Sequence, residues 1–214
     1  MFRFIAIAAV VLVTGSLGLE PPLHAQVGKP VTIVDANVVP EADVAKLPHM
    51  NAARAKALVA GRPFASIGAF DKFLSAQGLT RAQINEFYAR AFVPINLLTV
   101  TEAEVLLIPG AGPRMAHEFI EYKPYAALAQ FHREIDKYVD DAELARLEQY
   151  VFVPIKLNTA SDADILTIPG LGARMLREFK EYRPYKTIEQ FRREMGKYVS
   201  KEEVARLERY VTIN

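Results

Sequence analysis

Two five-residue stretches, Ile108-Pro-Gly-Ala-Gly112 and Ile168-Pro-Gly-Leu-Gly172, break the chain in the same way about 60 residues apart. A proline followed by two closely spaced glycines is unfavourable inside a helix or a strand, so each stretch marks a corner. The surroundings of the corners repeat as well. Thr101–Pro109 (TEAEVLLIP) aligns with Ser161–Pro169 (SDADILTIP) and, more loosely, with Pro40–Pro48 (PEADVAKLP). Lys123-Pro124-Tyr125, Arg183-Pro184-Tyr185 and Arg62-Pro63-Phe64 share one frame, and Phe131, Phe191 and Phe70 each follow seven residues after those prolines. "AELARLEQYV" at 142–151 matches "EEVARLERYV" at 202–211. Internal repetition of this length is the signature of a supersecondary unit used several times. It predicts three units, 34–93, 94–153 and 154–214, after a linker at 26–33. The joints fall at "FVPIN" and "FVPIK", where Pro94 and Pro154 discourage helix continuation.

Each unit is expected to hold four short helices. The first opens with a capping box, Thr101…Glu104 or Ser161…Asp164, in which hydroxyl and acid satisfy each other's backbone amides. Unit one carries Pro40 there and lacks the hydroxyl. The second helix follows the corner, with Met115, Phe119 and Ile120, or Met175, Leu176 and Phe179, at helical spacing. It ends before Pro124 or Pro184. The third helix carries Phe131 and Ile135, or Phe191 and Met195. The fourth opens at Thr80, Asp140 or Ser200 and buries Leu147 or Leu207. No strand pattern of useful length stands out, so the expected fold class is all-α.

Residues 1–25 begin with one basic residue, run through an apolar core and end at "LHA", the pattern of a cleaved secretory signal peptide. The rival reading is a retained anchor; the uncharged run from Phe4 to Leu19 falls short of the ~20 residues of a membrane span. Export predicts a periplasmic or secreted location. The chain has no cysteine, so its stability rests on apolar burial, for which 51% hydrophobic residues suffice. A formal net charge of +1 excludes a uniformly basic nucleic-acid binder.

At the corner, a glycine can enter the left-handed region that ends a helix, and Pro113 suits the first position of the next helix. Free amides and a positive dipole end then form a potential anion site. Arg114 and Arg174 stand in that first helical turn, where they oppose the dipole and where an approaching phosphate would reward them. The plainer alternative is that the glycines serve close packing alone.

The stretches "VLLIPGAGPRMAHEFIEY" and "ILTIPGLGARMLREFKEYRPY", the second preceded by "IKLNTAS", resemble the helix-hairpin-helix repeat. They are most similar to exported modules of the kind found in the competence DNA receptor ComEA. The resemblance covers units two and three and, weakened, unit one. It implies three tandem helix-hairpin-helix units that bind a DNA phosphate without reading sequence, with a role in DNA uptake. Carried over by position, the nucleic-acid-binding residues are Gly110, Ala111, Gly112 and Arg114, then Gly170, Leu171, Gly172 and Arg174. Some members also hold a monovalent cation on hairpin carbonyls, the one cofactor the resemblance implies.

Unit one departs from the pattern: Pro48-His49-Met50-Asn51 has no glycine, and Asn51 is the residue there that tolerates a left-handed conformation. Charge separates the other two. Residues 96–153 hold five basic and ten acidic side chains, whereas residues 154–214 hold twelve and nine. Unit two sets Glu102, Glu104, Glu118 and Glu121 around its corner. Unit three offers Arg174, Arg177, Lys180 and Arg183 at i,i+3 steps, so DNA contact is expected there, with about four phosphates. The tyrosines are expected in the core.

Enzymatic activity is not expected. The corner also resembles that of DNA glycosylases, but Arg114 and Arg174 replace their lysine, and His132 and Arg192 stand where their aspartate belongs. No metal site is expected, since the histidines share no ligand spacing. The alternative function is docking to an envelope protein partner, as implied by similarity to the extrinsic photosystem subunit PsbU.

Overall fold

A computed structural model describes residues 32–213; the expected signal peptide and most of the expected linker lie outside the described residues. Among the described residues, twelve helices fall into three runs of four. The first run is α1 (Glu41–Val44), α2 (Ala52–Ala60), α3 (Ile67–Ala76) and α4 (Arg81–Tyr88). The second is α5 (Glu102–Val105), α6 (Pro113–Glu121), α7 (Leu128–Ile135) and α8 (Asp141–Glu148). The third is α9 (Asp162–Leu166), α10 (Ala173–Glu181), α11 (Ile188–Met195) and α12 (Lys201–Glu208).

The all-α expectation is wrong. Each run of helices is bracketed by two short strands that pair in parallel, so the molecule is mostly helical with three small parallel sheets. β1 (Val34–Asp35) pairs with β2 (Ala91–Phe92), β3 (Ile95–Asn96) with β4 (Val151–Phe152), and β5 (Ile155–Lys156) with β6 (Val211–Thr212). Flanking amides extend each ladder: Ile95 donates to Tyr150 O at 2.8 Å and Leu97 to Phe152 O at 2.9 Å. Two-residue strands are too short to express a period of two, which is why alternation could not announce them. The pairing satisfies the backbone around "FVPIN" and "FVPIK", where proline stops helices and buried amides still need partners.

The helix starts follow local chemistry. Thr80, Thr101 and Ser161 form complete capping boxes, and Asn51, Ser66, Asp140, Thr187 and Ser200 each accept a backbone amide at a helix N-terminus. The residue before each repeated proline reaches back across its unit. Arg62 donates to Val39 O (2.7 Å), Lys123 to Val100 O (2.8 Å) and Arg183 to Ala160 O (2.9 Å).

Units one and two share one continuous core, running from Ile33 through Phe92 to Val151. Phe92 meets Tyr150 edge to face at 4.8 Å, linking the two units. Unit three has its own core around Phe179, Phe191 and Leu207. Phe152 of unit two enters that core and packs on the Tyr210 ring at 4.5 Å; polar bonds add to the contact, Arg209 donating to Pro94 O at 2.9 Å and the buried Tyr210 hydroxyl to Asp35 at 2.6 Å. No helix among the described residues is long and apolar enough to cross a membrane.

Candidate nucleic-acid interface

The two glycine corners have the same backbone. Gly110 has φ +82° and Gly170 has φ +75°, the left-handed conformation that ends α5 and α9. Gly112 (φ −99°, ψ 179°) and Gly172 (φ −102°, ψ 176°) are extended and act as N-caps of α6 and α10. Any residue can adopt that conformation, and a Cβ at either second glycine would meet nothing within 4 Å. Neither the turn nor the packing therefore requires the second glycine. Its effect is to leave the helix start uncapped.

Unit one shows the contrast. His49, not Asn51, takes the left-handed conformation, at φ 61°. The imidazole bonds the Glu86 carboxylate at 2.7 Å. Asn51 is the extended N-cap of α2, and its side chain accepts from Arg54 N at 2.9 Å. Unit one thus closes the helix start that the other units leave open.

The amides at the corners divide into two groups. Those of Ala111 and Leu171 donate to Ile108 O (3.0 Å) and Ile168 O (3.1 Å), completing the turn. Leu171 is also buried. The amides of Gly172, Ala173, Arg174 and Met175 donate to no group among the described residues, and Gly172, Ala173 and Arg174 are exposed. Unit two offers one amide fewer, because Pro113 holds the position of Ala173 and has no N–H.

Side chains around the corners differ more than the backbone. In unit three, Lys180 pairs with Asp162 at 2.6 Å, and Arg183 is spent on Ala160 O. Arg174 and Arg177 are exposed and form no ion pair among the described residues. The expected four-residue basic stripe therefore reduces to two available guanidinium groups. In unit two, Ile120 stands in place of Lys180, so no lysine offsets Glu102. His117, in place of Arg177, lies 3.5 Å from Glu121. Glu104 is held in its capping box and Glu118 is buried, which leaves Glu102 and Glu121 as the exposed acids beside Gly110 and Arg114.

Beneath each left-handed glycine lies an arginine of the fourth helix. A Cβ at Gly110 would stand 3.5 Å from Arg146 Nη2, and one at Gly170 would stand 3.7 Å from Arg206 Nη2. Both guanidinium groups are held by the glutamate one turn earlier, Glu143 or Glu203. Arg146 is partly exposed, whereas Arg206 is only 2% exposed, and Val38 of unit one stands against the unit-three corner, where a Cβ at Gly170 would meet it at 3.3 Å. Sequence reasoning missed these arginines; "ARLE" in both fourth helices was the available signal.

The two positions compared with a glycosylase aspartate are occupied structurally. His132 lies 3.1 Å from Glu148, and Arg192 makes a two-pronged pair with Glu208. Tyr125, Tyr150, Tyr185 and Tyr210 are buried, and burial raises the pKa of each hydroxyl. Tyr122, Tyr138, Tyr182 and Tyr198 are only half-buried and line up beside the corners.

No protein-family model matches the chain, and neither the curated proteins nor the solved structures hold a match to it.

Proposed function

We propose that this chain is a non-enzymatic, exported protein that binds the sugar–phosphate backbone of duplex DNA without reading its sequence. The proposed contact is Gly170–Arg174 with Arg177, and it would suit a protein that captures DNA outside the cytoplasm. One observation carries the reading. In unit three, α9, α11 and α12 each have a hydroxyl cap, and α10 alone starts at a bare glycine. An uncapped helix start with open amides, flanked by two guanidinium groups without ion-pair partners among the described residues, offers an anion both charge and donors. Lys180 would join only by exchanging Asp162 for a phosphate, a small cost for an exposed pair.

The test is duplex binding by fluorescence anisotropy across a salt series. With two phosphates engaged, affinity should fall roughly as the 1.8th power of salt. Arg174→Glu combined with Arg177→Glu should abolish binding; retention of wild-type affinity would overturn the proposal. Gly172→Asn should weaken binding while stabilising α10, since it installs the cap that Asn51 gives unit one.

A second reading is docking to an envelope protein partner. Leu106 and Leu166, at matching positions just before each corner, are 44% and 42% exposed. Leu166→Glu should release such a partner and leave DNA affinity within twofold. Recovery of no stable partner from envelope extracts at low salt would count against this reading.

A further inference from the structure

We infer that Tyr198 is a positioning residue that holds the Arg174 guanidinium beside the open amides of α10; the inference rests on the phosphate reading above. The Arg174 guanidinium carbon lies 5.9 Å from the centre of the Tyr198 ring. The ring is itself fixed: its hydroxyl shares a hydrogen bond of 2.6 Å with Tyr182. On the far side, Lys197 Nζ lies 4.9 Å from the centre of the Tyr182 ring. Two hydroxyl-linked tyrosines are thus flanked by two cations. They are not equivalent. Lys197 is neutralised by Glu194, which also holds Arg193. Arg174 has no carboxylate partner among the described residues, so it is the cation of this cluster left to meet an anion.

Unit two repeats the arrangement with Arg114 over Tyr138 (5.9 Å), the Tyr122–Tyr138 hydroxyl bond (2.7 Å) and Lys137 over Tyr122 (4.9 Å). Unit one lacks all of it. Ala53, Ala57 and Gly61 stand in place of Arg174, Glu178 and Tyr182, and there Asn51 caps the helix. Within one chain, the tyrosine pair is present where the N-cap is glycine and absent where it is asparagine. Packing alone gives no reason for that linkage. An arginine in a first helical turn is disfavoured by the dipole, and a π face holds it there. A side chain restrained in advance loses less conformational freedom when a phosphate arrives.

The experiment is a double-mutant cycle on the full chain, with a short duplex DNA as probe. Tyr198→Leu should weaken binding about fivefold, the equivalent of one exposed cation–π contact. Combined with Arg174→Ala it should bind no more weakly than Arg174→Ala alone, whereas its effect should multiply with that of Arg177→Ala. Tyr198→Phe, which keeps the ring, should stay within twofold of wild type. Should Tyr198→Leu lower the melting temperature, Tyr198→Met replaces it in the cycle. Independent effects of Tyr198 and Arg174, or wild-type binding by Tyr198→Leu, would overturn the inference and leave the phosphate reading standing. Wild-type binding by Arg174→Ala would overturn both.

Discussion

Units two and three carry the same corner on the same backbone, yet the charges and amides around it differ. The left-handed glycines agree within a few degrees, and both helix starts lack a side-chain cap. The difference lies in three substitutions and one neighbour. Ala173 gives an amide that Pro113 cannot, Lys180 neutralises Asp162 where Ile120 leaves Glu102 alone, and Arg177 stands where His117 faces Glu121. The neighbour is unit one, which places Val38 and Asp35 against unit three. A short glycine motif sets the conformation; the flanking charges and the adjacent unit decide what the conformation can hold.

The comparison can be broken most strongly at its buried polar tie. Tyr210→Phe leaves a carboxylate oxygen of the 5%-exposed Asp35 without its donor and should cost about 1–3 kcal/mol in denaturant unfolding. Tyr150→Phe, its counterpart in unit two, should cost less than half as much. Equal losses would show that the bond between units one and three contributes nothing beyond burial.

The glycines come next. Gly170→Ala should destabilise by about 2 kcal/mol and Gly110→Ala by about 1 kcal/mol. Both positions have positive φ, but the new methyl at 170 would stand 3.3 Å from Val38 Cγ1, whereas at 110 it would make only an ordinary contact, 3.5 Å from Arg146 Nη2. Similar melting temperatures for the two variants would show that unit one does not brace the third corner. Gly172→Asn should instead raise stability by a few tenths of a kcal/mol.

A smaller effect concerns a clamp that unit two lacks. Asn37 and Asn158 each bridge the backbone of the residue after the repeated proline, Phe64 or Tyr185, through both ends of the amide. Unit two has Leu98 at this position. Leu98→Asn should stabilise by about 0.5–1 kcal/mol in thermal melts, since two backbone groups gain partners. Destabilisation would mean that Leu98 packs more usefully than an amide could bond.

The smallest expected effect depends on pH. Hydrogen bonds from the Ser161 hydroxyl and amide hold the Asp164 carboxyl below its ordinary value of 3.8. A depressed carboxyl stabilises the fold above that value, and the contribution disappears as pH falls through the folded-state pKa. Ser161→Ala should therefore lose a few tenths of a kcal/mol more at neutral pH than near pH 2, as read by urea titration, on top of the pH-independent loss of the acceptor for the Asp164 amide. An equal loss at both pH values would assign the cap to the hydroxyl alone.

Much of the helical framework was legible because its signals are local. Caps at Thr80, Thr101 and Ser161, prolines at 124 and 184, and the spacing of Phe119, Phe131 and Phe179 each act within a turn or two of chain. The strands were not legible, since Ile95 and Val151 pair across a whole unit and each strand has only two residues. At the site, the corner glycines could be found from sequence, but the state of each charge could not. Nothing local to Arg183 says that it serves Ala160, nor does anything near Lys180 point to Asp162. The role of Asn51 was misjudged because its preference for left-handed geometry competes with its preference for N-caps, and His49 had already taken the turn.

The parallel strand pairs fasten the beginning of each helical run to its own end before the chain moves on through Val93-Pro94 or Val153-Pro154. A copy of this design can be appended or lost without re-threading its neighbours, but the two termini are unequal places to do so. Trimming at the carboxyl end removes a copy that shares only the edge of its interior, at Phe152, with its neighbour, while trimming at the amino end strips the third copy of its support and splits an interior held jointly by the first two. Growth of such an array is therefore simplest by duplication at its carboxyl end.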